Sequence, residues 1–195
     1  DPDTFVATIE KYFGEWKPNP DIKFLEYEPE QAITSPVQKT VYGLDAEFVM
    51  MGWRVPGAND HLRSEVGDIV GDILYNGQAG LADLNLIQAQ KVNGFYGFNY
   101  TRPDYGEFML VGYPREGQSL DEVRDLMLEQ VAKLRSGDFD ESLIQSTLNN
   151  YKLSNMRQLE DNSSRAMSFV QSFINGHDWK DDALQMQRLE KITKQ

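Results

Sequence analysis

Apolar residues recur at helical spacing in the first turns of the chain: Phe5, Val6, Ile9, Tyr12 and Phe13. The pattern predicts a helix capped by Asp3 and stopped at Gly14, with Pro18 and Pro20 beyond it. Lys17–Pro36 is rich in proline and carboxylates and reads as an extended connection, with one short strand at Lys23–Tyr27. Strand signals follow at Val37–Gly43 and Ala46–Val55, with Leu44-Asp45 between them. In the second, Phe48, Met50 and Gly52 alternate with Val49, Met51, Trp53 and Val55. Both faces are largely apolar, which predicts a central strand covered on both sides. Pro56-Gly57 breaks it, and Asn59 or Asp60 can cap a helix through Leu62, Val66, Ile69, Val70, Ile73 and Leu74. After Asn76-Gly77 comes a short Leu-rich helix, then aromatic strands at Gly94–Thr101 and Gly106–Tyr113 joined by Pro103-Asp104.

The last third is helical. Ser119 and Glu122 form a capping box, and Gly137 is a stop. Asp140 opens the next helix, and another holds Met167, Val170, Phe173 and Ile174 before Gly176. A fourth starts at Asp178 and is predicted to run to Gln195. Strict βαβ alternation is absent. The order predicts an α+β fold, a mostly antiparallel sheet with helices packed on one side.

Composition narrows the partners. The 195-residue chain is 40% hydrophobic and 11% aromatic, as a globular domain requires. A net charge of −12 makes nucleic acid a poor partner, because binding it rests on neutralising phosphates. The same charge disfavours anionic membranes and attracts basic ligands, and no apolar run is long enough to span a bilayer. With no Cys, thiol nucleophiles, disulfides and thiolate metal sites are excluded. The start at Asp1-Pro2-Asp3 without Met, and a last helix without a stop, give the expectation of one domain, residues 1–195, cut from a larger protein.

Candidate chemistry is sparse. The only histidines, His61 and His177, fall on different predicted helices. His61 reads as a surface residue paired with Glu65 at i,i+4. No serine sits in a G-x-S-x-G elbow, and Asn76-Gly-Gln-Ala-Gly80 lacks the Lys and Ser/Thr of a phosphate loop. No catalytic residue and no metal ligand is assigned.

A longer pattern carries more. Val49–Pro56 is followed by a helix ending Val70-Gly-Asp-Ile-Leu-Tyr-Asn-Gly-Gln-Ala-Gly-Leu81, then Leu84-Asn-Leu86, Gln90-Lys-Val92 and a strand pair through Asp104-Tyr-Gly-Glu-Phe108. Leu134-Arg-Ser-Gly-Asp-Phe-Asp140 and Phe173-Ile-Asn-Gly176 complete it. This order resembles the second, non-zinc-binding type of domain in the insulinase/pitrilysin family, which includes the mitochondrial processing peptidases. The resemblance covers nearly the whole chain. It implies a parent of several similar domains, whose halves close around a chamber that admits unfolded peptides. Zinc is then held by H-x-x-E-H in the parent's first domain, where zinc-bound water attacks the peptide carbonyl. This chain has no H-x-x-E-H, so no cofactor is expected in it.

Where the substrate-clamping domain of the family carries an Arg, this chain has Ile87 or Gln88. That implies a domain from the zinc-bearing half or from an inactive half. Some relatives hold the substrate's N-terminal end by strand addition. The matching positions here are Gly77, Gly80, Tyr96 and Phe98, as substrate-binding residues. The expected partners are the other domains of the parent and a peptide substrate. Two further readings compete: a non-catalytic protein-binding or assembly module of the same fold, and an unrelated ligand-binding α+β domain.

Overall fold

The computed structural model describes residues 1–23 and 25–194. They form two compact units, Asp1–Lys39 and Thr40–Gln195. The first unit contains helix α1 (Pro2–Phe13). Its cap is Asp1, two residues ahead of the expected Asp3; the Asp1 carboxylate accepts from the Asp3 amide and the Thr4 hydroxyl. The apolar stripe of α1 is exposed along its length. The strand expected at Lys23–Tyr27 includes Phe24, which lies outside the described residues; Lys23 and residues 25–27 are not in a strand.

The second unit is built on a three-stranded antiparallel sheet. Strand β1 (Val49–Pro56) pairs with β3 (Tyr105–Tyr113), and β3 pairs with β2 (Gly94–Thr101), in the order β1-β3-β2. The expected strand Val37–Gly43 does not form. Val41 and Tyr42 are exposed, and no strand among the described residues pairs with the segment to satisfy its backbone groups. Contrary to expectation, β1 is an edge strand and β3 is central.

Helix α2 (His61–Leu74) starts at Asp60, whose carboxylate accepts from the Arg63 amide. A π-helical segment, Asp83–Gln88, stands where the short Leu-rich helix is predicted. Helix α3 (Leu120–Ser136) starts with the Ser119 hydroxyl accepting from the Glu122 amide and stops at Gly137, which has φ +69°. Helices α4 (Ser142–Glu160) and α5 (Asn162–Asn175) follow, α5 ending at Gly176. The predicted last helix is two short ones, α6 (Trp179–Ala183) and α7 (Gln185–Leu189), divided at Leu184.

The helices cover one sheet face, as the α+β reading requires. Phe95, Phe108 and Leu110 point into a core with Ile69, Ile73 and Leu74 of α2, Leu86, and Val123 and Met127 of α3. At Gly112 the α3 contact is so close that a Cβ would meet Met127 Sδ at 2.5 Å. Helix α7 returns to this core through Leu189, which is 1% exposed. An ion pair joins α7 to α2: Arg188 Nε donates to Glu65 Oε2 at 3.0 Å, and its NH2 group donates to Oε1.

Candidate functional site

The opposite sheet face is partly exposed, with Val111 buried in its middle. Residues directly across an antiparallel pair share a face, so the register defines three rows: Met50–Val111–Tyr96, Gly52–Met109–Phe98 and Arg54–Glu107–Tyr100. Tyr96 is 50% exposed, Phe98 41% and Met50 55%. Water therefore reaches a face whose side chains have the size of core residues.

Aromatic rings continue the face at one end. Tyr96 meets Tyr113 edge-on at 6.0 Å, and Tyr113 meets Phe48 at 5.8 Å. Tyr75, at the end of α2, packs edge-on against Tyr96 at 5.8 Å. Beyond Tyr113 lies a cavity of about 500 Å³ lined by Glu47, Asn93, Tyr113, Arg115 and Gln118. At the other end guanidinium groups lie over rings, Arg54 over Tyr105 at 5.3 Å and Arg102 over Tyr100 at 4.9 Å.

The structure thus sets Tyr96 and Phe98 side by side on this face, as alternate residues of β2. The two expected loop glycines differ from each other. Gly77 is exposed, has φ +77° and has open space where a Cβ would stand. Gly80 is buried, and a Cβ there would meet the Leu74 carbonyl oxygen at 2.7 Å. Its amide donates to Asp83 Oδ2 at 2.9 Å, so packing alone accounts for this glycine. The rest of the face (Phe48, Met50, Met109, Tyr113) was missed by sequence reasoning. The strand alternation of Phe48 and Met50 was the available signal.

The histidines depart from expectation. Their rings meet edge-on at 4.5 Å. His61 faces Asp181 at 3.9 Å and makes no ion pair with Glu65, which is taken by Arg188. His177 Nδ1 lies 3.3 Å from Asp182, whose other oxygen accepts from the Ser172 hydroxyl. Among the described residues no group of three or more His, Cys, Asp or Glu side chains is placed to hold a metal, so these residues do not fit a zinc centre.

A second polar cluster lies between α2 and α4. Burial holds the Asp68 carboxyl above the ordinary carboxylate range, against hydrogen bonds from Asn99 and Tyr151. Asp72 is raised by burial and then by the Asp68 charge. Burial, followed by the charges of Asp68 and Asp72, raises the Tyr151 phenol. A carboxyl raised in the folded state binds its proton more tightly there than in the unfolded chain. Its stabilising contribution is complete below the ordinary Asp range and is lost as pH rises through the folded-state value. Asp72→Asn is therefore expected to flatten the loss of stability between the ordinary Asp range and neutrality. Urea midpoints measured across that interval check it, and a slope equal to that of the unsubstituted protein would refute it.

Comparison with known proteins places this geometry. Residues 1–151 match the family model described as the Peptidase M16 inactive domain. No curated protein matches the chain in sequence. Among solved structures, a protease from Helicobacter pylori superposes with a TM-score of 0.80 at 16% identity, covering 100% of this chain and 48% of that one. The inactive peptidase domain of a protein named as a zinc protease from Bordetella parapertussis gives 0.65 at 18% identity, over 75% of this chain and 77% of that one. The periplasmic protease PqqL from Escherichia coli gives 0.70 at 20% identity, over 99% of this chain and 21% of that one. The chain thus spans about half the length of the Helicobacter protease. At these identities the likenesses establish the fold.

Proposed function

This chain belongs to the M16 peptidase family, as its inactive domain, and from that premise we propose that it walls part of a chamber in which a zinc-dependent endopeptidase encloses and positions peptides. One observation carries the reading. The sheet face away from the helices bears Met50, Tyr96 and Phe98, each between 41% and 55% exposed, a surface suited to extended chains of mixed sequence.

In this reading zinc belongs to the parent's first domain, where it activates the attacking water. The residues here bind and orient. Tyr96 and Phe98 contact alternate substrate side chains. β2, which carries Tyr96 and Phe98, is an edge strand with backbone groups that no strand among the described residues pairs, as strand addition requires. Gly77 leaves room for a peptide backbone beside the loop, and Gly80 shapes that loop.

The test is Phe98→Ala in the full-length parent. Losing a buried aromatic contact of about 1–2 kcal/mol should raise KM roughly tenfold, with kcat and zinc content unchanged. Unchanged KM for every peptide tried would remove the face from substrate binding. A parent with no zinc and no cleavage, isolated in a stable complex with another chain, would favour the non-catalytic assembly module.

A further inference from the structure

Strand β2 presents its free edge in a fixed pattern. The Arg102 amide donates to the Tyr105 carbonyl at 2.9 Å, and bonded and non-bonded pairs alternate along an antiparallel ladder. In this register Tyr96, Phe98 and Tyr100 turn their backbone groups to β3, while Phe95, Gly97, Asn99 and Thr101 turn theirs outward. Only half of that outward row is clear. Successive strand residues point to opposite faces; Phe95 lies in the core at 1% exposure, and Tyr96 points the other way at 50%. The ring of Tyr75 packs edge-on against both, at 5.8 Å from each. With β3 on the other flank of β2, a ring that touches side chains on both faces lies across the free edge. A Cβ at Gly97 would meet Tyr75 Cβ at 3.6 Å, which sets the crossing level with residues 95–97.

The backbone on both sides of this ring is tied down. The Tyr75 amide donates to the Gly71 carbonyl at 2.8 Å, and the next amide, of Asn76, donates to Asp83 Oδ2 at 3.0 Å. The other end of the edge is closed too, where the amides of Ala58 and Asn59 donate to the carbonyls of Arg102 and Pro103 at 2.8 and 3.2 Å. Between these limits stand the outward backbone groups of Asn99 and Thr101. We infer that Tyr75 is a positioning residue: it stops strand addition on β2 short of Gly97, so that a docked peptide pairs with Asn99 and Thr101 and leaves the edge at the ring. The inference rests on the reading of this domain as peptide-binding, and the occupant is the extended peptide of that reading. Strand addition recognises backbone, so no side-chain charge is required of it.

The test uses the full-length parent and two fluorescein-labelled peptides that alternate apolar and polar residues. They have about four and about eight residues, matched at the strand rise to the clear half and to the whole of the edge. Affinity is read by anisotropy and the footprint by residue-resolved amide exchange, so activity is not needed. In the unsubstituted protein the long peptide should slow exchange at Asn99 and Thr101, leave Phe95 and Gly97 unchanged, and bind within about twofold of the short one. Tyr75→Ala should extend the protection to Phe95 and Gly97. It should also tighten the long peptide by about tenfold, the effect of a few added backbone bonds of ordinary strength, and leave the short one within about twofold. Tyr75→Phe keeps the ring and should behave as the unsubstituted protein. Protection of Phe95 and Gly97 with the ring in place, or no gain for the long peptide in Tyr75→Ala, overturns the stop and leaves the peptide-binding reading standing. If neither peptide protects any β2 amide and Phe98→Ala changes neither affinity, both fall. Should Tyr75→Ala fail to fold, Tyr75→Leu makes a smaller opening, and the footprint on the unsubstituted protein still decides.

Discussion

Arg188→Ala is expected to destabilise the second unit by about 1–3 kcal/mol, between the surface and fully buried ranges for an ion pair, because Glu65 is buried while the Arg188 side chain is 24% exposed. Glu65 is 7% exposed and sits on α2 at the edge of the core. Arg188 grips both of its carboxylate oxygens from α7. Cutting the guanidinium away leaves a buried carboxylate with no counter-charge. The expected result is a matching drop in unfolding free energy by urea titration. Arg188→Met combined with Glu65→Leu should recover most of the loss, because an apolar pair of similar volume avoids the desolvation cost of both charges. A loss under about 1 kcal/mol for Arg188→Ala would place the pair with ordinary surface bridges and refute its assigned role.

Asp83→Ala is expected to cost about 2–4 kcal/mol, from two backbone amides left without an acceptor. Asp83 is 4% exposed, and its Oδ2 accepts from the amides of Asn76 at 3.0 Å and Gly80 at 2.9 Å. Asn76 Oδ1 in turn accepts from Gln78 at 3.0 Å and Ala79 at 2.9 Å. Two side chains thus fix the loop that carries Gly77. Without Asp83, amide exchange at Asn76 and Gly80 should accelerate along with the fall in stability. Asp83→Asn, which can keep an acceptor oxygen in place, should lose less. Unchanged exchange at both amides in Asp83→Ala would show that the carboxylate does not hold the loop.

Local signals in the sequence were readable where one residue decides the outcome. Ser119, Gly137, Gly176 and Asp178 bound helices as their capping chemistry predicts. Pro103-Asp104 turns β2 into β3 as expected. The order of elements was enough for the family resemblance, which the match over residues 1–151 supports.

Legibility failed where a residue's partner is distant. Glu65 and Arg188 are 123 positions apart, and nothing near Glu65 signals that an arginine displaces His61. The centrality of β1 was misread for a different reason. Met50 on the open face and Met51 on the covered one look alike in a sequence, because apolar character does not say whether a side chain meets core or solvent. The same ambiguity hides the candidate site: Tyr96 and Phe98 were legible as aromatics on a strand, but the rows joining them to Met109 and Gly52 exist only once β3 lies between.

The position of β3 also bears on the order of assembly. Its pairing with β2 closes over a short turn, in which the Arg102 amide donates to the Tyr105 carbonyl at 2.9 Å. Hairpins of this kind close in about 1–10 μs. Pairing β1 with β3 instead requires closing a loop that contains α2, the π-helical segment and β2, with a correspondingly larger entropic barrier. The nascent sheet should therefore begin as a two-stranded ribbon that already displays Tyr96, Phe98 and Met109. The strand that completes it, β1, joins last.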